Sequence, residues 1–168
     1  EIMKATFRLR MIRHMQRKEN IKREKERDGL YRDIDEELDI NYAGDSDPRH
    51  TLDYYSPKNV GTTPVIIVYH GGGYIANEKG LNRVQARWFA TNGYKVINGE
   101  YTLYPEGDSR MQMQEVAQLI KWVEMNAVKY GFNLNHVYMT GDSAGGHLVM
   151  LYAMIQGNQD LQKYFDVN

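Results

Sequence analysis

The sequence predicts an α/β fold in which a mostly parallel sheet is flanked by helices and preceded by an antiparallel hairpin. Three observations predict it. Strand-like and helical segments alternate from residue 65 onward, a β-branched run at 65–69 is apolar throughout, and two short alternating segments precede that run. Alternation of this kind indicates a parallel sheet wound on both sides, and a continuous apolar strand is typical of its centre. With 168 residues, of which 42% are hydrophobic, the chain can bury a core as one domain.

The first 27 residues are basic and show a helical pattern. They carry ten Lys or Arg side chains against four Glu, and Phe7, Met11 and Met15 fall on one helical face. Residues 28–53 reverse the balance, with nine acidic side chains against two arginines. A basic amphipathic helix can bind anionic membranes or nucleic acid, but a solvated, partly docked helix is the commoner case. We therefore predict an N-terminal helix and linker over 1–35, a candidate cap element, ahead of a main domain over 36–168.

The elements of the main domain follow from hydrophobic periodicity. Apolar and polar residues alternate over 37–42 and 51–55, with a turn-rich loop between them, which predicts a β-hairpin. The run V-I-I-V-Y at 65–69 predicts the central buried strand. Beyond it we predict, in order, a helix over 82–91, a strand over 94–103, a helix over 111–130, a strand over 136–140 and a helix from about 144 to 157.

A serine flanked by small residues lies between the last predicted strand and helix. The stretch G-D-S-A-G-G at 141–146 places Ser143 on a sharp strand-to-helix turn, with Gly141 and Gly145 two residues to either side. Small residues are needed there because the helix approaches the strand closely, and the helix N-terminus directs free N–H groups, that of Ala144 in particular, at the same point. A nucleophile elbow fits this pattern, and a tight turn with an exposed serine is the alternative.

Three consecutive glycines follow the central strand. The stretch His70-Gly71-Gly72-Gly73-Tyr74 predicts a loop whose backbone N–H groups face a ligand. A phosphate-binding loop has a similar composition, but the chain lacks its G-K-[ST] ending and also lacks G-x-G-x-x-G. An oxyanion-binding loop is the better interpretation. A glycine loop after one buried strand and a serine elbow after a later one are more specific together than either is alone.

These motifs resemble those of the α/β-hydrolase fold, and within it the hormone-sensitive-lipase-like esterases. The similarity covers about residues 36–156 and rests on H-G-G-G-Y at 70–74 and G-D-S-A-G-G at 141–146. The segment E-Y-T-L-Y-P-E at 100–106 is similar to D-Y-R-L-A-P-E in that family, with differences at Glu100, Thr102 and Tyr104. The resemblance implies an ester hydrolase acting on a small-molecule substrate without a metal or an organic cofactor.

The resemblance also implies roles for named residues. Ser143 would be the catalytic nucleophile, and the backbone amides of Gly72, Gly73 and Ala144 would form the oxyanion hole. Supporting roles in the two motifs would fall to His70, Gly71, Gly141, Asp142 and Gly145. We expect His70 to fix the glycine loop by hydrogen bonds to backbone, and we expect residues 74–83 and the first helix to wall the substrate pocket.

The general base is the part of the mechanism that the sequence does not supply. In this family an acid and a histidine follow the serine on loops after later strands, yet only 25 residues follow Ser143. If the helix that starts at the serine ends near residue 157, about eleven residues remain, fewer than the dozen or so that one strand–helix–strand crossover needs. His147 lies one turn along that helix, where we expect its ring to point away from the hydroxyl. We therefore expect the acid and the histidine to lie outside this chain, and its last strand to be an exposed edge.

The sequence leaves two alternative functions open and also bears on the location and partners of the protein. The same apparatus could cleave an amide or a formamide, and a chain without the histidine could be a non-catalytic hydrolase-like binding module. No apolar run approaches the roughly 20 residues of a membrane span, and no signal-peptide pattern is present. We therefore expect a cytoplasmic protein with no nucleic-acid partner, and self-association through the exposed sheet edge.

Overall fold

A computed structural model describes residues 2–27, 31 and 33–167. The sheet contains five strands: β1 Ile34–Asn41, β2 Thr51–Pro57, β3 Thr63–Tyr69, β4 Lys95–Gly99 and β5 Phe132–Gly141. The helices are α1 Ile2–Arg27, α2 Arg83–Thr91, α3 Ser109–Met125, α4 Ala127–Tyr130, α5 Ala144–Gln156 and α6 Gln159–Phe165. A single turn of 3₁₀ helix at Lys79–Asn82 leads into α2.

The sheet order is β1-β2-β4-β3-β5. β3 is central and pairs in parallel with β4 on one side and β5 on the other, while β2 pairs antiparallel with both β1 and β4. The predicted mixed sheet, with its antiparallel N-terminal hairpin, is confirmed. β5 forms one edge of the described sheet, and Leu134, Val137 and Tyr138 are exposed there.

Two hydrophobic cores lie on opposite faces of the sheet, and the central strand contributes to both. Val65 and Ile67 point to the larger core, which α3 and α5 cover with residues such as Leu119 and Leu148. The alternate residues Ile66 and Val68 point to the smaller core beneath α2. Because side chains alternate across a strand, an uninterrupted apolar run is needed to bury both faces. The arrangement with helices on both sides, predicted from the alternation of strands and helices, is confirmed, and so is the central strand predicted from the apolar run.

Three predicted elements of the main domain differ clearly in their bounds; one is the strand predicted over 136–140, which spans Phe132–Gly141 because its first residues also pair with the start of β3. The strand predicted over 94–103 ends at Gly99, because its neighbours end there too: Gly99 lies opposite Tyr69 of β3 and Leu52 of β2. The helix predicted over 111–130 begins at Ser109, where the Asp108 side chain caps it, and is interrupted at Asn126 before the short α4. The short helix α6 was not predicted.

The N-terminal helix is confirmed, but Met11 and Met15 of its predicted apolar stripe do not face the core. Met11 is 49% exposed and Met15 63% exposed. Residues 28–30 and 32 of the predicted linker lie outside the described residues, and β1 begins at Ile34, just inside the segment predicted as linker. No helix among the described residues has the length and apolar character that crossing a bilayer requires.

Candidate active site

The candidate nucleophile sits on a strained turn between β5 and α5. β5 ends at Gly141, α5 begins at Ala144, and Ser143 between them has φ 46° and ψ −115°. A positive φ is uncommon for any residue other than glycine and costs of order 1–3 kcal/mol. Contacts made by the surrounding structure must offset that cost. The elbow geometry predicted from the sequence is therefore present. Ser143 is exposed, as a nucleophile must be.

Close packing of α5 on β3 holds that turn. A Cβ built on Gly145 would lie 2.2 Å from the Tyr69 carbonyl oxygen, and one on Gly141 would lie 2.4 Å from the Gly145 carbonyl carbon. Real Cβ atoms essentially never approach other atoms closer than 3.0 Å. Both positions therefore require glycine for space, as the sequence pattern indicated.

The glycine loop and the serine elbow meet at the same edge of the sheet. β3 and β5 are parallel neighbours, and Tyr69 lies opposite Gly141, so the segments that follow both strands start side by side. The Gly71 N–H donates a hydrogen bond of 2.8 Å to Asp142 Oδ1, which ties the loop to the elbow directly. Asp142 thus positions the loop, and the Gly71 amide is committed to this contact.

Three backbone amides remain available at this edge. In the part of the chain that the structure describes, the N–H groups of Gly72, Gly73 and Ala144 have no hydrogen-bond acceptor. Gly72 has φ 126°, which L side chains rarely adopt, and the turn continues through Gly73. Free N–H groups beside a serine, one of them at a helix N-terminus, form the donor set that an oxyanion requires.

A buried ion cluster supports the glycine loop from behind. Nδ1 of His70 donates to the Gly71 carbonyl at 2.7 Å, and Nε2 lies 2.8 Å from Oε1 of Glu100. Glu100 also accepts from the Arg49 guanidinium at 2.9 Å and from the Lys79 backbone N–H at 2.9 Å. Burial alone would raise the pKa of Glu100, but the His70 and Arg49 contacts outweigh it and hold the pKa below its usual range.

Tyr101 completes this support. Its ring stacks on His70 with centroids 4.4 Å apart, and its hydroxyl donates to the His70 carbonyl at 2.9 Å. The hydrogen bond from His70 to the Gly71 carbonyl is of the kind expected for a residue that fixes the loop, and that role stays a prediction. Sequence reasoning missed Glu100 and Tyr101 as supports, although the segment E-Y-T-L-Y-P-E that contains them was singled out.

A cavity of about 350 Å³ opens beside the elbow. Gly73 and His147 line it near Ser143, and its walls are mainly apolar: Tyr74, Ile75, Tyr104, Met113, Leu148 and Leu151. Among the described residues, Tyr74 and Ile75 are the only part of the segment 74–83 that lines the cavity, and no described side chain of α1 lines it. The expectation was wrong on this point because the chain turns away at Ala76 into the 3₁₀ turn that leads to α2.

The histidines nearest to Ser143 have other partners. His147 Nδ1 forms a short hydrogen bond with the Tyr74 hydroxyl, and the two rings meet edge to face. His70 is buried and bonded at both nitrogens. Within the described part of the chain, the Ser143 hydroxyl has no hydrogen-bond partner, and no three His, Asp or Glu side chains are grouped as metal ligands. Among the described residues, no histidine therefore contacts the Ser143 hydroxyl.

The chain is similar in sequence to known esterases. It is 28% identical over 116 residues to an isoprenylcysteine alpha-carbonyl methylesterase of Arabidopsis thaliana, covering 68% of this chain and 27% of that protein. It is 28% identical over 121 residues to carboxylesterase NlhH of Mycobacterium tuberculosis, covering 71% of this chain and 38% of that enzyme. The chain thus spans about a quarter to two fifths of the length of these relatives.

Solved structures of esterases superimpose on this chain. Esterase B of Lactobacillus rhamnosis superimposes with a TM-score of 0.84 and 34% identity, covering 95% of this chain and 52% of that one. An esterase of the archaeon Pyrobaculum calidifontis superimposes with a TM-score of 0.74 at 23% identity, which supports the fold alone. The α/β-hydrolase fold expected from the two motifs is confirmed. The model of the BD-FAE family matches residues 52–168, from β2 to the end of the chain, and the chain therefore belongs to the BD-FAE family.

Proposed function

We propose that the protein is a carboxylic ester hydrolase, esterase or lipase-like, with Ser143 as its nucleophile. The observation that carries the proposal is the strained Ser143 turn, with φ 46°, at the sheet edge where three backbone amides lack acceptors among the described residues. Strain at an exposed serine is typical of a nucleophile elbow and has no evident use in an ordinary turn. The esterase relatives support ester hydrolysis as the reaction class.

The reaction begins when Oγ of Ser143 attacks the carbonyl carbon of the ester. The carbonyl double bond becomes a C–O⁻ single bond, and the amides of Gly72, Gly73 and Ala144 donate hydrogen bonds to that oxygen. Each such donor contributes roughly 3 kcal/mol to lowering the barrier. Collapse of the tetrahedral intermediate expels the alcohol and leaves an acyl group on Ser143, which water then removes. The neighbouring motif residues hold this geometry: His70, Gly71, Gly141, Asp142 and Gly145.

The proton of Ser143 must pass to a base and later to the leaving alcohol. We place that histidine, and the acid that orients it, outside these 168 residues. His147 is unsuited because it lies one turn along α5 and its ring contacts Tyr74, with no contact to the Ser143 hydroxyl among the described residues, and His70 is unsuited because it is buried behind the loop. These 168 residues alone should then be nearly inactive, since a serine site without its base keeps only a small part of its rate enhancement.

The substrate we propose is a small ester. The cavity of about 350 Å³ lies near the lower end of the range of roughly 300–1,000 Å³ for ligand pockets, and its walls are mainly apolar. One solved form of esterase B is described as inhibited by a C4-C4 SN3 tributyrin phosphonate. By analogy, a short acyl group fits the cavity beside Gly73. The mechanism needs neither a metal nor an organic cofactor.

The proposal also covers the domain organisation, cellular location and self-association of the protein. We assign residues 1–35 to an N-terminal helix and linker with a capping role, and residues 36–168 to the N-terminal portion of the hydrolase domain. The protein would act in the cytoplasm, without a nucleic-acid partner. The unpaired groups of β5, with Val137 and Tyr138 exposed, favour self-association of these 168 residues through that edge.

Two rival functions have support of their own. An amidase or formamidase would use the same nucleophile and oxyanion donors, so only a panel of esters and amides separates it from an esterase. A non-catalytic binding module is favoured by the lack of a base next to Ser143 in the described residues. Such a binding module would still bind anions through the backbone amides but would not cleave an ester.

The test compares these 168 residues with the full-length protein, which on this proposal continues beyond Asn168 and supplies the acid and the histidine. We expect the full-length protein to hydrolyse p-nitrophenyl butyrate, and the Ser143→Ala variant to lose that activity. We expect the 168 residues alone to be no faster than their own Ser143→Ala variant. Turnover by the short chain that depends on Ser143 would place a base within it, and a full-length protein that binds esters without cleaving them would leave the binding module as the function.

A further inference from the structure

One arginine on α1 contacts two separate segments beside the cavity. Nε of Arg13 donates to the Ile75 carbonyl at 2.8 Å. Nη2 donates to the Tyr104 carbonyl at 2.7 Å, and the same guanidinium forms two further hydrogen bonds, of 3.0 and 3.1 Å, with the Glu106 carboxylate. The fork of donors in a guanidinium can hold several acceptors at fixed positions, which a single ammonium cannot do.

The two segments that Arg13 joins form part of the cavity wall. Ile75 follows the glycine loop, and Tyr104 belongs to the turn between β4 and α3. Both line the cavity of about 350 Å³. The Tyr104 N–H also donates to the Tyr74 carbonyl at 2.7 Å, so the segments touch each other directly. Arg13 lies behind this junction and fixes both carbonyl groups from the outer side.

A neighbouring ion pair of α1 is longer and more exposed than the Arg13 contacts. The Arg17–Glu78 pair is 3.6 Å long, and its arginine side chain is 69% exposed. Met11 and Met15 are exposed, and a second cavity of about 270 Å³ lies between α1 and the body of the protein, lined by Arg13, His14, Arg17, Asn20, Arg49, Asn77 and Glu78. Exposed methionines with a cavity beneath the helix contribute little packing at this position. Arg13 is thus the α1 residue with described hydrogen bonds to the segments of the cavity wall.

We propose that Arg13 is a positioning residue that sets the size of the acyl cavity by holding Ile75 and Tyr104 together. This inference rests on the proposed function, because it takes the cavity to bind the acyl part of the ester. With the guanidinium removed, the two segments lose their common partner and the wall can move outward. The cavity then accepts longer acyl groups and binds short ones less well. The basic N-terminal helix thereby acquires a role in substrate selection.

The test uses the full-length protein with p-nitrophenyl esters from acetate to decanoate. We expect Arg13→Ala to shift the ratio of kcat/KM for octanoate over butyrate at least about tenfold toward octanoate, mainly through KM. Arg13→Lys should keep the charge without reaching all three acceptors, and so should fall between Arg13→Ala and the wild type. The matched control is Arg17→Ala, one turn along the same helix, which should leave the acyl-length profile unchanged.

A second measurement is independent of activity. Amide hydrogen exchange at 72–76 and 104–107 should be faster in Arg13→Ala than in Arg17→Ala. An unchanged acyl profile together with unchanged exchange would overturn the role of Arg13, and so would equal effects of the two alanine variants. If the wild type shows no Ser143-dependent turnover, the proposed function fails, and unchanged exchange then overturns the positioning role separately.

Discussion

The close approach of α5 to β3 predicts that Gly145→Ala destabilises the protein. The new Cβ would lie 2.2 Å from the Tyr69 carbonyl oxygen and 2.8 Å from the His70 carbonyl oxygen. The first distance is about 1.2 Å short of the 3.4 Å at which ordinary van der Waals contact begins. Neither oxygen can give way easily, because both belong to the backbone at the end of the central strand. The helix must therefore move by an amount on the order of 1 Å.

The size of the effect follows from two opposing terms. Overpacking of a well-packed site costs about 1–3 kcal/mol and occasionally more, and a clash with backbone belongs at the upper end. Alanine in a helix is favoured over glycine by about 1 kcal/mol, which offsets part of that cost. We expect a net loss of about 2 kcal/mol in the free energy of unfolding. For a chain of this length, that is a fall in Tm of about 4 to 8 °C.

The assay is denaturant unfolding of the wild type and two variants, followed by circular dichroism. The matched control is Gly157→Ala at the other end of α5, where the nearest heavy atom to an added Cβ is 3.8 Å away and φ is −88°. We expect the control to change stability by no more than about 0.5 kcal/mol. If Gly145→Ala is no less stable than Gly157→Ala, the helix does not pack on the strand as closely as described.

Three further predictions concern other parts of the molecule. Burial alone would lower the pKa of His50, but hydrogen bonds to the carboxylates of Asp45 and Glu115 hold that pKa above its ordinary value. The stabilisation from protonated His50 is complete below about pH 6.5 and is lost as the pH rises through the raised pKa. Between about pH 6 and pH 8.5, the wild type should therefore lose more stability than His50→Gln in denaturant unfolding. In the full-length protein, Tyr74→Phe removes the hydroxyl that links the glycine loop to α5, and it should lower kcat by about tenfold with little change in Tm. A kcat equal to that of the wild type would show that the link is dispensable. Tyr138→Lys places a charge on the exposed edge of β5 and should shift these 168 residues toward the monomer in gel filtration, and a wild type already monomeric at high concentration would contradict self-association.

Much of the fold could be predicted from the sequence because local pattern and global architecture agree. The apolar run at 65–69 identified the central strand, since burial of both faces requires a strand without polar residues. The glycines at 141 and 145 identified the elbow, because close backbone approach excludes a side chain. Both signals lie within a few consecutive residues, which is why they could be read without the structure.

What could not be predicted depends on contacts between distant parts of the chain. The end of β4 at Gly99 is set by where its neighbours end, and not by its own residues. The hydrogen bonds from Arg13 to Ile75 and Tyr104 join segments more than 60 residues apart. A basic helix with an apolar stripe gave no sign that one of its arginines would make these contacts.

The donors proposed for the oxyanion hole belong to two elements, and a separate device holds each element in place. The Glu100–His70 contact at 2.8 Å fixes the glycine loop, and the packing of Gly145 on β3 fixes the start of α5. The Gly71–Asp142 hydrogen bond then sets the distance between the two elements. None of these devices involves the hydroxyl of Ser143 or a base. The arrangement of the glycine loop beside the start of α5 therefore forms whether or not a proton acceptor is present, because β3 and β5 bring the two elements together. Ester hydrolase and binding module consequently share the same architecture at this edge, and the supply of a base to Ser143 decides between them.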